Sequence, residues 1–117
     1  MPAGTTTPKW LLDFRMKVPP VALVHGTTVA IDASLSDVWT LTTTGSENTT
    51  FTVTGGVAGQ TYKFIITSDS GGSDVLTFGT GFRVTGTLTL TASKVYVVEF
   101  VSDGTSLIET SRTTAIT

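Results

Sequence analysis

A dense run of β-branched and aromatic residues, Val95-Tyr96-Val97-Val98-Glu99-Phe100-Val101, stops at Asp103-Gly104 and constrains this chain more than any other stretch. Asp-Gly is a favoured dipeptide of the two-residue type I′ turn, whose positive φ angles match the twist of the strands it joins. A second strand must therefore return from Thr105. With Asp103 and Gly104 at the tip, Ser102 pairs with Thr105, Val101 with Ser106 and Phe100 with Leu107. Side chains alternate across a strand, so this register gathers Tyr96, Val98, Phe100 and Leu107 on one face, the expected floor of a core.

Upstream of this hairpin the period of two persists. Val21–Val24 and Thr28–Ile31 flank Gly26, and Val38–Leu41 ends at the cluster Gly45-Ser46-Glu47-Asn48. Thr50–Thr54, Gln60–Thr67, Asp74–Phe78 and Thr85–Thr91 follow, parted by Gly, Asp and Ser turns. Eight or nine short strands with turn residues between them predict an all-β fold, a single antiparallel β-sandwich of jelly-roll type over residues 21–117. Residues 1–20 form a separate N-terminal arm. Within it, Thr7 as N-cap and Pro8 at the first helical position predict a short helix over 8–17, which Pro19-Pro20 ends. Trp10, Leu11 and Phe14 would share one face of that helix and need something to dock on, since so short a helix is unstable alone.

Charge separates the same two segments. Lys9, Arg15 and Lys17 against Asp13 give residues 1–20 a net +2, so the overall −2 leaves −4 on the remainder. A pI near 5.1 offers no electrostatic footprint for nucleic acid or an anionic membrane. The apolar stretch Trp10-Leu11-Leu12 is interrupted by Asp13 and Arg15, which fits neither a signal peptide nor a membrane span, and a soluble protein made in a cytoplasm is expected. There is no cysteine, so neither a disulfide framework nor a thiolate metal site can be built.

No catalytic constellation stands out. His25, the single histidine, sits beside Gly26 without a nucleophile elbow anywhere in the chain, and reads as a turn or strand-edge residue. Glu99 and Glu109 fall on opposite sides of the hairpin ribbon and do not form a glycosidase pair. Asp69 and Asp74 bracket a Ser-Gly turn without the further acidic ligands of a calcium loop. Trp39 lies in an alternating apolar strand and reads as core, although Trp10 and Trp39 keep sugar stacking as a minority reading. Threonines recur at alternating positions, as in Thr50-Phe51-Thr52-Val53-Thr54, but at spacings too irregular for an ice-binding array. No cofactor or metal ligand set is expected.

Several stretches together resemble a known module: Gly55-Gly56-Val57-Ala58-Gly59-Gln60-Thr61-Tyr62-Lys63-Phe64-Ile65-Ile66, Gly71-Gly72, Val75-Leu76-Thr77-Phe78-Gly79, Lys94-Val95-Tyr96 and Phe100-Val101-Ser102-Asp103-Gly104-Thr105. Residues 38–112 are similar to a β-sandwich module of tailed-bacteriophage virion proteins, found in capsid decoration proteins, head fibres and tail fibres or spikes. The resemblance implies a non-enzymatic structural protein on the capsid surface of a virion. An arm plus one sandwich looks most like a capsid decoration protein, a homotrimer seated on the lattice of major capsid protein. A tail-fibre or spike component contacting the host, or a carbohydrate-binding module, is the alternative. Lys9, Trp10, Leu11, Phe14, Arg15 and Lys17 are the candidate capsid or subunit contacts.

Overall fold

The computed structural model describes residues 19–117, so the helix expected over 8–17 and nearly all of the N-terminal arm lie outside the described residues. Among those described, none is helical and the all-β expectation holds. Val21–Leu23 (β1) lies in one sheet and Thr28–Asp32 (β2) in the other. Val38–Thr42 (β3) returns to the first sheet beside β1, Thr49–Thr54 (β4) to the second beside β2, Thr61–Thr67 (β5) to the first and Val75–Phe78 (β6) to the second. Every neighbour pair in this series is parallel: β1 with β3, β3 with β5, β2 with β4, and β4 with β6.

The antiparallel jelly-roll sandwich is thereby corrected: the chain winds as a β-solenoid of about three turns, with mixed parallel and antiparallel pairing. Alternation within a strand reports which face is buried and is silent about the neighbour. Short polar loops suggest hairpins, yet here each loop carries the chain across to the opposite sheet. Parallel neighbours need a long crossover, and the strand of the facing sheet supplies it.

After β6 the winding stops. Phe82–Arg83 (β7) crosses to the far edge of the larger sheet, Leu88–Thr89 (β8) turns back antiparallel to β6, and Val95–Ser102 (β9) with Leu107–Arg112 (β10) fills the gap between β5 and β7. The sheets run β1-β3-β5-β9-β10-β7 and β2-β4-β6-β8. The β9–β10 hairpin therefore closes the larger sheet from within. Gly81 permits the crossing into β7: its φ is +92°, and a Cβ there would stand 2.3 Å from the Val53 carbonyl oxygen.

The hairpin register differs from the expectation by two residues. Leu107 faces Ser102, Ile108 faces Val101 and Glu109 faces Phe100, with a bulge between Glu109 and Ser111. The connection is a longer loop over 103–106, in which the Asp103 carboxylate accepts the Thr105 and Ser106 N–H groups at 2.8 and 2.7 Å. These bonds hold the Asp103 carboxyl below its ordinary pKa. An even shift preserves parity, so Tyr96, Val98, Phe100 and Leu107 still share the buried face.

That face meets the second sheet over a core of phenylalanines. Phe51, Phe64, Phe78, Phe82 and Phe100 touch one another in stacked, tilted and edge-on pairs with centroids 5.2–6.3 Å apart. Phe51, Phe64, Phe78 and Phe100 are buried and Phe82 partly so, and full burial of such a side chain contributes about 1.5–3 kcal/mol from lost water contact alone. Two buried tyrosines carry their hydroxyls to opposite loops, where Tyr62 Oη accepts Val57 N–H at 3.0 Å and Tyr96 Oη accepts Thr91 N–H at 2.7 Å.

Candidate functional site

The winding has two unlike ends. At the N-terminal end, β1 and β2 are the outermost strands of their sheets, and among the described residues nothing pairs with their outer edges. β1 carries no charge along Val21-Ala22-Leu23, and Val21 and Leu23 are only partly buried against the core. Val24 and Leu35, in the adjoining loops, are largely exposed. Free strand edges of this kind are places where another strand adds, because their N–H and C=O groups are unpaired.

Side chains fix the loops around this edge. His25 bridges to the next rung: Thr44 N–H donates to its Nδ1 at 3.0 Å while Nε2 donates to the Glu47 carbonyl at 3.1 Å, an arrangement that places the ring proton on Nε2. Thr49 Oγ1 donates to the Gly26 carbonyl at 2.7 Å. At the opposite corner, Ser36 Oγ lies 3.3 Å from the Pro19 carbonyl and 3.1 Å from that of Val38. Asp32 Oδ1 accepts the Ser34 hydroxyl at 2.6 Å and the Ser34 N–H at 3.0 Å, which keeps its carboxyl below the usual carboxylate range.

The other end is locked. Arg112 forks onto Glu109, with Nε 2.6 Å from Oε2 and Nη2 3.0 Å from Oε1. Its outer nitrogens also donate to the Gly86 and Thr87 carbonyls at 2.9 and 3.0 Å, so β10 is tied to the loop between β7 and β8. Glu109 Oε1 further accepts from Thr85 N and Oγ1 at 3.0 and 3.1 Å. The Glu109 side chain is only 6% exposed, and the Arg112 hydrogen bond, with Thr85 assisting, holds its carboxyl below the ordinary value. This knot was not foreseen: β7 is too short to show as a periodic run, and the spacing of Glu109 and Arg112 suggests nothing by itself.

The sequence candidates disperse. Lys9, Trp10, Leu11, Phe14, Arg15 and Lys17 lie outside the described residues. Trp39 is 2% exposed with its ring in the core, so it cannot stack on a sugar. Asp69 accepts Gly72 N–H within its own turn and the hydroxyl of Thr43 from the end of β3, and Asp74 Oδ1 accepts Glu47 N–H; the buried Asp74 Oδ2 has no partner among the described residues. Among the described residues no three acidic or histidine side chains converge on a metal position. Glu99 faces Ser111 and Lys63, whereas Glu109 faces Phe100. Thr28, Thr50 and Thr77 do align in one exposed row on the smaller sheet, despite their uneven spacing in sequence. The next row holds Ala30 beside Thr52 and the one after it Asp32 beside Thr54, so the array ends after one rung. Compared with family models, curated proteins and solved structures, the chain gave no match.

Proposed function

We propose that this protein is a non-enzymatic structural component of a tailed-phage virion, a decoration protein that attaches to the lattice of major capsid protein. The observation that carries this reading is the difference between its ends. One end is tied by side chains, and the other presents strand edges that nothing among the described residues pairs, at the point where the segment preceding Pro19, of opposite net charge to the body, joins it. A rigid body with one unsatisfied, oppositely charged end is suited to holding a partner by that end. The class of partner rests on the sequence motifs within residues 38–112 alone, because the β-sandwich that their resemblance to virion modules implied is not the fold observed. Closed assembly as a homotrimer on the shell would also cover the free edges.

Lys9, Arg15 and Lys17 would then meet acidic groups of the shell. In a co-sedimentation assay with undecorated heads, replacing all three by Glu should lower apparent affinity at least about tenfold in low salt, with the difference shrinking as salt rises. Full binding by the triple variant at all salt concentrations would overturn the reading. Electron microscopy of particles showing the protein on tail fibres would support host contact instead.

A further inference from the structure

The loop that closes the β9–β10 hairpin contains a bond with chemistry of its own. Asp103-Gly104 is the one Asp-Gly pair in the chain, and no Asn-Gly occurs. In an unstructured chain such a pair cyclises slowly. The Gly104 backbone nitrogen attacks Asp103 Cγ, the new N–C bond closes a five-membered succinimide, and a carboxyl oxygen departs as water with the amide and carboxyl protons. Glycine makes the closure easiest, because no side chain hinders its nitrogen and its backbone turns freely. Water then opens the ring at either carbonyl. Opening at the former side-chain carbonyl restores aspartate, whereas opening at the main-chain carbonyl leaves isoaspartate, with the main chain running through Cβ and Cγ. Nothing is oxidised, and the water lost is regained.

In the folded loop both reacting groups are engaged elsewhere. The Gly104 N–H donates to Ser102 Oγ at 3.0 Å. Ser102 is 3% exposed, and its main chain is fixed on both sides: its N–H donates to the Gln60 carbonyl at 2.9 Å and its carbonyl accepts the Gly59 N–H at 2.8 Å. Asp103 Oδ1 accepts the N–H groups of Thr105 and Ser106, beyond the nitrogen that would attack it. The Asp103 N–H donates to the Ser106 carbonyl at 3.2 Å, which closes the loop on itself. Bonds from Ser106 first and Thr105 second also keep the carboxyl ionised at neutral pH. An ionised carboxylate lacks the hydroxyl that leaves as water.

We propose that Asp103 is a latent modification site, kept as ordinary aspartate by the hydrogen bonds of its own loop and converted to isoaspartate when the segment 102–106 opens. Ser102 acts through Gly104, by holding the attacking nitrogen. Conversion damages the hairpin. The carboxyl carbon that capped Thr105 and Ser106 becomes main chain, and the loop gains one methylene between Ser102 and Leu107, the pair that sets the register of β10. Every group involved lies within 59–107, so the site exists whether or not the protein attaches to a capsid.

The test ages the full-length protein at physiological temperature and neutral pH beside a synthetic peptide spanning 99–108. Isoaspartate at position 103 is counted by methyltransferase labelling and peptide mapping. The peptide should form it at least about tenfold faster than the protein, because the protein reacts only through its opened state. Equal rates would overturn the proposal, and this comparison needs no variant to fold. Ser102→Ala keeps the Asp-Gly pair and removes the acceptor of the Gly104 N–H. It should speed conversion in the folded protein at least about threefold, the share of one hydrogen bond. Ser106→Ala keeps the backbone N–H that Asp103 uses and should convert at the parent's rate. An unchanged rate in Ser102→Ala, with circular dichroism like the parent's, would show that the loop bonds are not what restrains the reaction and would also overturn the proposal.

Discussion

Where β7, β8 and β10 end the winding, the outermost strands β7 and β8 are two residues long and a guanidinium clamps β10 to the loop between them. At the β1–β2 end the outermost strands run three and five residues, and the loops are held by isolated hydrogen bonds from His25, Thr49 and Ser36. Both ends face the same hazard, since an unpaired strand invites another. The first removes the hazard by shortening the strands and reversing the chain through β8 and β9. Among the described residues, the second leaves it in place. Cooperative stability should accordingly be concentrated in the half that contains β9 and β10.

The largest contrast lies in the core. Phe100 is fully buried and touches Phe64, Phe78 and Phe82, so Phe100→Ala should cost about 3–5 kcal/mol in urea denaturation. Towards the open end, Trp39 is just as buried but carries an indole N–H without a partner among the described residues. Trp39→Phe removes ring volume and that unpaired donor together, and the second effect offsets part of the first, leaving a loss of no more than about 1.5 kcal/mol. Equal losses would mean that the two halves are packed to the same standard.

Much of this architecture could be read before any coordinates, and the part that could not has a definite cause. Strand positions follow from alternation and from Gly, Asn and Asp punctuation, and the inward set Tyr96, Val98, Phe100 and Leu107 survived a mistaken turn because the error was even. Partner choice was not legible. β2 alternates identically whether its neighbour is β1 or β4, and only the full three-dimensional path distinguishes a returning hairpin from a crossing rung. Register hung on the side chain of Asp103, which stabilises a longer loop than the Asp-Gly dipeptide suggests. The N-terminal segment carries the same ambiguity in its sequence: Pro8 and Thr7 argue for a helix start, while 9–18 also alternates strictly enough for a strand except at Leu11.

Glycines sharpen the comparison at an intermediate scale. Gly81→Ala forces a side chain onto the Val53 carbonyl at a φ of +92°, where β6 crosses into β7 on the way to the locked end. It should cost about 3 kcal/mol or more, because both sterics and backbone conformation oppose it. Gly26, between β1 and β2, has an ordinary φ and its nearest neighbour to a new Cβ is the Thr28 carbonyl oxygen at 3.9 Å. Gly26→Ala should stay within about 0.5 kcal/mol of the parent in the same denaturation assay. A large loss there would show that the open end is more tightly determined than its edges suggest.

At the locked end, the smallest expected loss tests the lock through its dependence on pH. Arg112 chiefly, and Thr85 in addition, hold the Glu109 carboxyl below its ordinary value. A carboxyl depressed in the folded state stabilises the protein above its unfolded pKa of about 4.3 and loses that contribution as pH falls through the lower folded value. Glu109→Gln keeps an oxygen for Thr85 and removes the charge that pairs with Arg112. At pH 7 the substitution should therefore cost about 1–2 kcal/mol, since the pair is largely shielded and bidentate. Asp32 and Asp103 are also depressed, but both proteins contain them, so their titration cancels in the difference. Urea denaturation of the two proteins should show a gap that is constant at neutral pH and narrows steadily as the solution is acidified below about pH 4. A gap that stays the same at every pH would mean that Glu109 acts by shape and hydrogen bonding alone. In that case the locked end would be held by the Arg112 contacts to the Gly86 and Thr87 carbonyls rather than by its ion pair.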